Sequence, residues 1–201
     1  MTVTQIVPVT KSRSRIWIDD EPAFVLYKGE LAAFHLAQGC EITQGDYDRI
    51  MTELLPKRAK LRTMNLLKSR DYTREGLRRK LAEGEYPEEI IEQAVEYVVS
   101  YGYVDDLRYA VGYISDYEGR KTQKMIETDL LRKGIAKNVI EQAWNQWKEK
   151  GGSVDEKAMI EALLKKRRYD PESADIKEKQ RTYAFLARKG FSADLIMDAI
   201  R

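Results

Sequence analysis

The apolar positions of this chain change rhythm once, near residue 57. Before it, Val3, Ile6, Val7 and Val9 are β-formers, and Arg15-Ile16-Trp17-Ile18 and Ala23-Phe24-Val25-Leu26-Tyr27 read as two strands. Asp19-Asp20-Glu21-Pro22 between them reads as a turn, because Asp and Pro favour turn geometry. The pattern predicts a small hairpin or three-stranded sheet. A short helix over about 30–38, ended by Gly39, and a second over about 46–55 complete this segment. After it the period is helical. Pro56 fits the first turn of a helix through about Ser69. Thr73 can cap the next, with Leu77 and Leu81 inward. Pro87 opens a third, with Ile90, Ile91, Ala94, Val95 and Val98 inward and Gly102 suited to a left-handed cap.

That trio recurs. Ile91-Glu92-Gln93-Ala94 returns as Ile140-Glu141-Gln142-Ala143, 49 residues on, and Thr73, Leu77 and Leu81 meet Thr122, Ile126 and Leu130 at the same offset. A further 56 residues on, Arg132-Lys133-Gly134-Ile135 becomes Arg188-Lys189-Gly190-Phe191, and Ile140 and Ala143 become Ile196 and Ala199. In the first copy Gly84 stands one residue early relative to the shared leucine. The expected fold is mainly α: three tandem three-helix repeats (57–104, 105–151 and 152–201) after a small α+β extension (1–56). A unit this small buries little surface alone, so stacked neighbours are expected to complete its core in an elongated crescent. At about 18 Å per 12-residue helix, three units in line reach roughly 60 Å. Such a body offers a long surface rather than a deep pocket.

Composition narrows the chemistry. A single Cys (Cys40) and a single His (His35) exclude an internal disulfide, a Cys/His zinc site and most nucleophilic catalysis. His35 lies in an apolar stretch and reads as structural; Cys40, beside Gly39, reads as inert. There is no signal-peptide pattern, membrane span or nucleotide-binding glycine loop, so the expectation is a cytoplasmic protein that is not an enzyme and uses no cofactor or metal.

The 35 basic and 33 acidic residues nearly cancel but are segregated. Between 58 and 80 there are nine basic and two acidic residues, whereas 81–107 holds eight acidic and no basic one. The candidate cations of the first repeat are Arg70, Arg74, Arg78, Arg79 and Lys80. Arg108, Arg120, Lys121, Lys124, Arg132 and Lys133 follow in the second. Lys165, Lys166, Arg167, Arg168, Arg188 and Lys189 belong to the third. Aligned by stacking, these patches would form a rail for phosphates or for acidic protein surface; the plain alternative is solvated helix faces. Tyr109, Tyr113 and Tyr117 share one helix face, and Trp144 and Trp147 are three apart. Base stacking is one use for them, and packing is the expected one.

Tyr103-Val104-Asp105-Asp106 has the Tyr-x-Asp-Asp form of reverse transcriptases, but that chemistry needs a strand hairpin. Here Gly102 stops one helix, Asp105 is placed to cap the next, and Asp106 favours its positive end. Gly102-Tyr103-Val104-Asp105-Asp106-Leu107-Arg108-Tyr109-Ala110 resembles the signature of the RecX family, bacterial regulators of the recombinase RecA. Arg70-x-x-Thr73-x-x-x-Leu77-x-x-Lys80-Leu81, Lys133-Gly134-Ile135 and Arg188-Lys189-Gly190-Phe191-Ser192 resemble that family's repeat patterns, over about 57–201. The extension resembles one found in some members. Gly76 departs from the family's usual Glu, at a cost of up to about 1 kcal/mol in helix stability. The resemblance implies a regulator that lodges in the groove of RecA filaments on single-stranded DNA. It would mostly inhibit recombinase, ATPase and SOS-related activity. The alternatives are a direct binder of single- or double-stranded DNA, and an adaptor for another protein. A monomer is expected.

Overall fold

Three antiparallel strands open the chain: β1 (Val3–Pro8), β2 (Arg13–Ile18) and β3 (Glu21–Tyr27), in spatial order β1-β2-β3. The turn between β2 and β3 is shorter than the expected 19–22. Asp19 and Asp20 both take left-handed backbone (φ 49° and 66°), the geometry that matches strand twist in a two-residue hairpin. Glu21 and Pro22 therefore already belong to β3, an edge strand that can spare the proline N–H.

The computed structural model describes every residue, Met1–Arg201, and the chain divides into two compact units, Met1–Asp105 and Asp106–Arg201. The helix expected over 30–38 is α1 (Lys28–Ala33). It stops short because His35, not Gly39, takes the left-handed cap (φ 52°). The Leu36 N–H returns to the Leu31 carbonyl at 3.0 Å, and Leu36 enters the core. The helices expected over 46–55 and 56–69 are continuous. α2 (Gln44–Arg49) runs through a π turn (Ile50–Leu54) into α3 (Leu55–Leu67). Pro56 explains the π turn, since its ring crowds the carbonyl four residues back and it has no N–H to donate. The helix widens just before it, and the Leu55 N–H bonds to the Ile50 carbonyl, five residues back.

The remaining helices form three triplets. α3 is followed by α4 (Arg74–Ala82) and α5 (Glu88–Ser100). Next come α6 (Asp106–Tyr117), α7 (Gln123–Arg132) and α8 (Lys137–Glu149). The last are α9 (Glu156–Arg167), α10 (Ile176–Arg188) and α11 (Ala193–Ile200). Each middle helix has a side-chain N-cap: Thr73, Thr122 and Asp175 accept the N–H of Gly76, Met125 and Glu178. Each also ends in the same turn. The N–H groups of Tyr86, Ile135 and Phe191 return to the carbonyls of Leu81, Leu130 and Leu186 at 3.4, 3.1 and 3.4 Å. The residue before each is left-handed: Glu85 (φ 59°), Gly134 (φ 82°) and Gly190 (φ 84°). The early Gly84 thus leaves a glutamate in the strained position, which costs on the order of 1 kcal/mol. Arg15 of β2 holds that glutamate at 2.6 Å.

The sheet and α3–α5 share one buried cluster, which runs from Ile16 and Leu26 through Leu77 and Leu81 to Val98 and Val104. Arg58 of α3 ties the two layers. Its guanidinium lies between the rings of Tyr27 (5.2 Å) and Tyr86 (5.1 Å), pairs with Glu30 at 2.6 Å and donates to the Val25 carbonyl at 2.7 Å. In the second unit the triplets close separate clusters, one around Ile126, Leu130, Trp144 and Trp147, the other around Ile160, Leu186 and Ile196. They meet where the Thr122 hydroxyl donates to the Lys189 carbonyl at 3.2 Å and Glu156 accepts the Gln123 N–H at 3.3 Å.

Substitutions at Arg58, Gly152 and Gly29 test this packing by chemical denaturation of the full chain. Arg58→Ala leaves Glu30, whose side chain is only 19% exposed, with the Tyr27 N–H but no cation, and removes two ring contacts; a loss of about 3 kcal/mol is expected, partly recovered by Arg58→Lys. Gly152→Ala would put a Cβ 2.2 Å from the Trp147 ring and is expected to cost about 1–3 kcal/mol. Gly29→Ala, with nothing within 4 Å, is expected to change stability by less than about 0.5 kcal/mol.

Candidate functional site

The cations of the first triplet are engaged close to home. Arg70 lies over the Tyr72 ring at 4.6 Å. Arg78 of α4 forks Glu92 of α5, with a second bond of 2.7 Å, and holds that carboxyl below its ordinary value. Arg79 pairs with Glu75 at 2.9 Å and Lys80 with Glu83 at 2.7 Å. Arg74 is half-buried on the same helix. The basic α4 and acidic α5 read from the sequence therefore neutralise each other in part, across the interhelix seam and along the helix.

The second unit carries 20 basic against 16 acidic residues. On its α6, Tyr109, Tyr113 and Tyr117 form a ladder, with centroids 6.4 and 4.5 Å apart. Lysines interleave it. Lys133 lies 5.6 and 5.3 Å from the first two rings, and Lys121 lies 5.3 and 3.8 Å from the last two. Lys121 also bonds Asp129 at 2.7 Å and the Tyr113 hydroxyl at 2.9 Å. Burial by itself would lower the Lys121 pKa, but the bonds to Asp129 and Tyr113 outweigh it and raise it. The Lys121 bond holds the Asp129 carboxyl below its usual range, and burial pushes the Tyr113 phenol up. Lys121 is thus held within its own triplet by Asp129, Tyr113 and Tyr117. Trp144 and Trp147 are both buried, edge to face at 5.4 Å, and are core rather than a stacking surface.

A cationic surface gathers where the second and third triplets meet. Arg167, at the end of α9, and Lys189, just after α10, lie over the same Phe185 ring at 4.4 and 5.4 Å. Lys189 and Arg120 line a cavity of about 160 Å³ with Thr122, Met125, Met159 and Phe191. Lys165, Lys166, Arg168 and Arg188 are exposed at the ends of α9 and α10, and Lys124 and Arg132 are exposed on α7. Arg108 is exposed on α6. The sequence reading did not single out Phe185; its place four residues before Lys189 is the only local signal, since Arg167 arrives from another helix.

The Tyr-x-Asp-Asp segment joins two helices. Gly102 is left-handed (φ 69°), and the Tyr103 N–H returns to the Val98 carbonyl at 2.9 Å. Val104 enters the core of the first unit, Asp105 precedes α6, Asp106 begins it, and Ala110 is buried one turn on. No strand pair carries these carboxylates. No helix is long and apolar enough to cross a membrane, and no cluster of three or more His, Cys, Asp or Glu could hold a metal ion.

Fold and surface together define a helical-repeat protein of three-helix units. Residues 59–97 match RecX, first three-helix domain, and residues 155–200 match RecX, third three-helix domain. The regulatory protein RecX of Trichlorobacter lovleyi is 33% identical over 145 residues, which is 70% of this chain and 92% of that protein. The chain belongs to the RecX family, whose role is regulatory. The regulatory protein RecX of Clostridium acetobutylicum is 29% identical over 205 residues, covering 100% of this chain and 95% of its own length. A crystal structure of regulatory protein RecX superposes with a TM-score of 0.62 at 25% identity, over 98% of both chains. RecX from Lactobacillus salivarius shares the fold, with a TM-score of 0.55 at 23% identity over 73% of this chain and 94% of that one.

The Lys121–Asp129 pair should shape the stability of the second unit against pH. The contribution of the depressed Asp129 is present above the ordinary aspartate value of about 3.9 and is lost as pH falls through the folded value. That of the raised Lys121 is present below about 10.4 and is lost as pH rises through the folded value. Thermal melts followed by circular dichroism should show Asp129→Asn below wild type from about pH 5 to 9, with the curves converging as pH falls through the depressed folded value of Asp129. A difference that stays constant with pH would contradict this.

Proposed function

We propose that this chain binds the recombinase RecA, chiefly as its filament on single-stranded DNA, and restrains filament growth, ATP hydrolysis and the repair and SOS functions that depend on them. Family membership carries this reading, and the cationic surface around Arg120, Arg167 and Lys189 supports it. A filament groove presents acidic protein surface beside phosphates, and clustered Arg and Lys recognise both. The role is one of binding rather than catalysis, exercised in the cytoplasm.

Titration of the full chain into a RecA ATPase assay on single-stranded DNA tests this. Hydrolysis should fall at chain-to-RecA ratios well below one. The combination Arg120→Glu, Arg167→Glu and Lys189→Glu should weaken inhibition at least about tenfold. Arg79→Glu, at a cation paired within its own helix, should change inhibition much less. Undiminished hydrolysis at equimolar protein would remove the proposal.

The Phe185 ring between two cations favours a second reading, direct binding of single-stranded DNA by stacking and phosphate contact. Fluorescence anisotropy without RecA should then show affinity falling with salt, with a log–log slope of about −0.7 per phosphate neutralised. A flat salt dependence would remove this second reading alone.

A further inference from the structure

The third triplet carries an open apolar trough where the first two triplets carry charge. α10 and α11 frame about 390 Å³, lined by Ile176, Tyr183, Met197 and Ile200 with the cations Lys179 and Arg201 at its rim. Ile176 is 78% exposed and Met197 46%. At the rim Arg201 pairs with Asp198 at 3.6 Å and Lys179 donates to the Arg201 main-chain oxygen at 3.3 Å, and Lys177, Glu178 and Arg181 are exposed on α10.

The repeats supply an internal comparison. At the offsets of 49 and 56 residues, Tyr183 and Met197 stand where the second triplet has Glu127 and Glu141 and the first has Arg78 and Glu92. In the first triplet the two helices close this seam with the Arg78–Glu92 ion pair. The scaffold therefore accepts polar side chains here twice; in the third copy Tyr183 also packs against the buried cluster, whereas Met197 and Ile176 stay exposed. Exposed apolar side chains gathered in a groove with a charged rim mark a docking surface.

We propose that this trough docks an acidic amphipathic segment of a protein partner. Apolar side chains at helical spacing enter between α10 and α11, and carboxylates on the segment's flanks face Lys179 and Arg201. Around the trough Lys177, Lys179, Arg181 and Arg201 outnumber Glu178 and Asp198, which favours an acidic partner, and the volume lies within the range of about 300–1,000 Å³ usual for ligand sites. The proposal stands whether or not RecA supplies the segment.

Fluorescence anisotropy with the full chain and labelled synthetic helices tests it. One probe places leucines at i, i+4 and i+7 among glutamates, a second replaces the glutamates with lysines, and a third scrambles the first. The acidic amphipathic probe should bind saturably and at least about tenfold more tightly than the other two. Met197→Glu should weaken it at least about tenfold. So should Tyr183→Arg combined with Met197→Glu, which introduces the residues of the first triplet's ion pair, with circular dichroism confirming the helical fold of each variant. Lys179→Glu should shift preference toward the lysine probe. No saturable binding, equal binding of the scrambled probe, or indifference to Met197→Glu would overturn the proposal. Concentration-dependent self-association in sedimentation that Met197→Glu abolishes would overturn it too, by assigning the trough to a second copy of this chain.

Discussion

Each triplet hangs on the turn that reverses the chain after its middle helix. The returning N–H groups of Tyr86, Ile135 and Phe191 satisfy carbonyls that the helix ends would otherwise leave open. The left-handed residue before each sets the direction in which the last helix departs. That direction brings Ile90 and Ile91, Ile140, and Ile196 of the last helices into the same buried clusters as the middle-helix Leu81, Leu130 and Leu186. In the third triplet the turn also joins two units of packing. Gly190 sits where a Cβ would lie 2.6 Å from the Thr122 hydroxyl, and the neighbouring Lys189 carbonyl accepts from that hydroxyl. One backbone feature thus closes each core and, in the last case, sets the approach of the preceding triplet.

The first triplet uses the same turn with a non-glycine residue, and the sheet explains how. Glu85 bears the backbone strain while Arg15 of β2 holds its carboxylate. Arg58 repeats this logic more deeply: a guanidinium caught between two rings, with its charge answered by Glu30 and one N–H answered by a strand carbonyl. A charge taken this far from water is tolerated only with such partners. The extension is therefore a structural part of the first unit, sharing its apolar cluster, rather than an appendage to it.

The repeated scaffold also separates architecture from chemistry. Equivalent middle-helix and last-helix positions hold an ion pair in the first triplet, two glutamates in the second, and a tyrosine and a methionine in the third. The buried leucines behind them, Leu81, Leu130 and Leu186, are kept in all three copies, because these positions lie at the edge of helices whose inner stripe is unchanged. Charge follows the same rule. Cations on α4 are answered by carboxylates on α4 and α5, whereas those at the ends of α9 and α10 meet around an aromatic ring.

Period and punctuation in the chain determined the helical triplets, their caps at Thr73 and Thr122, the left-handed Gly102 and the hairpin, since these depend on residues a few positions apart. Motif order determined the family. Local pattern could not show that Pro56 lies within one continuous helix, because the π turn that accommodates it is indifferent to side-chain period. Nor could it show that Lys121 is committed to Asp129 and the tyrosine ladder while Arg167 and Lys189 share Phe185. A cation's availability depends on what other helices bring to it, and that distance is set only when the tertiary fold closes.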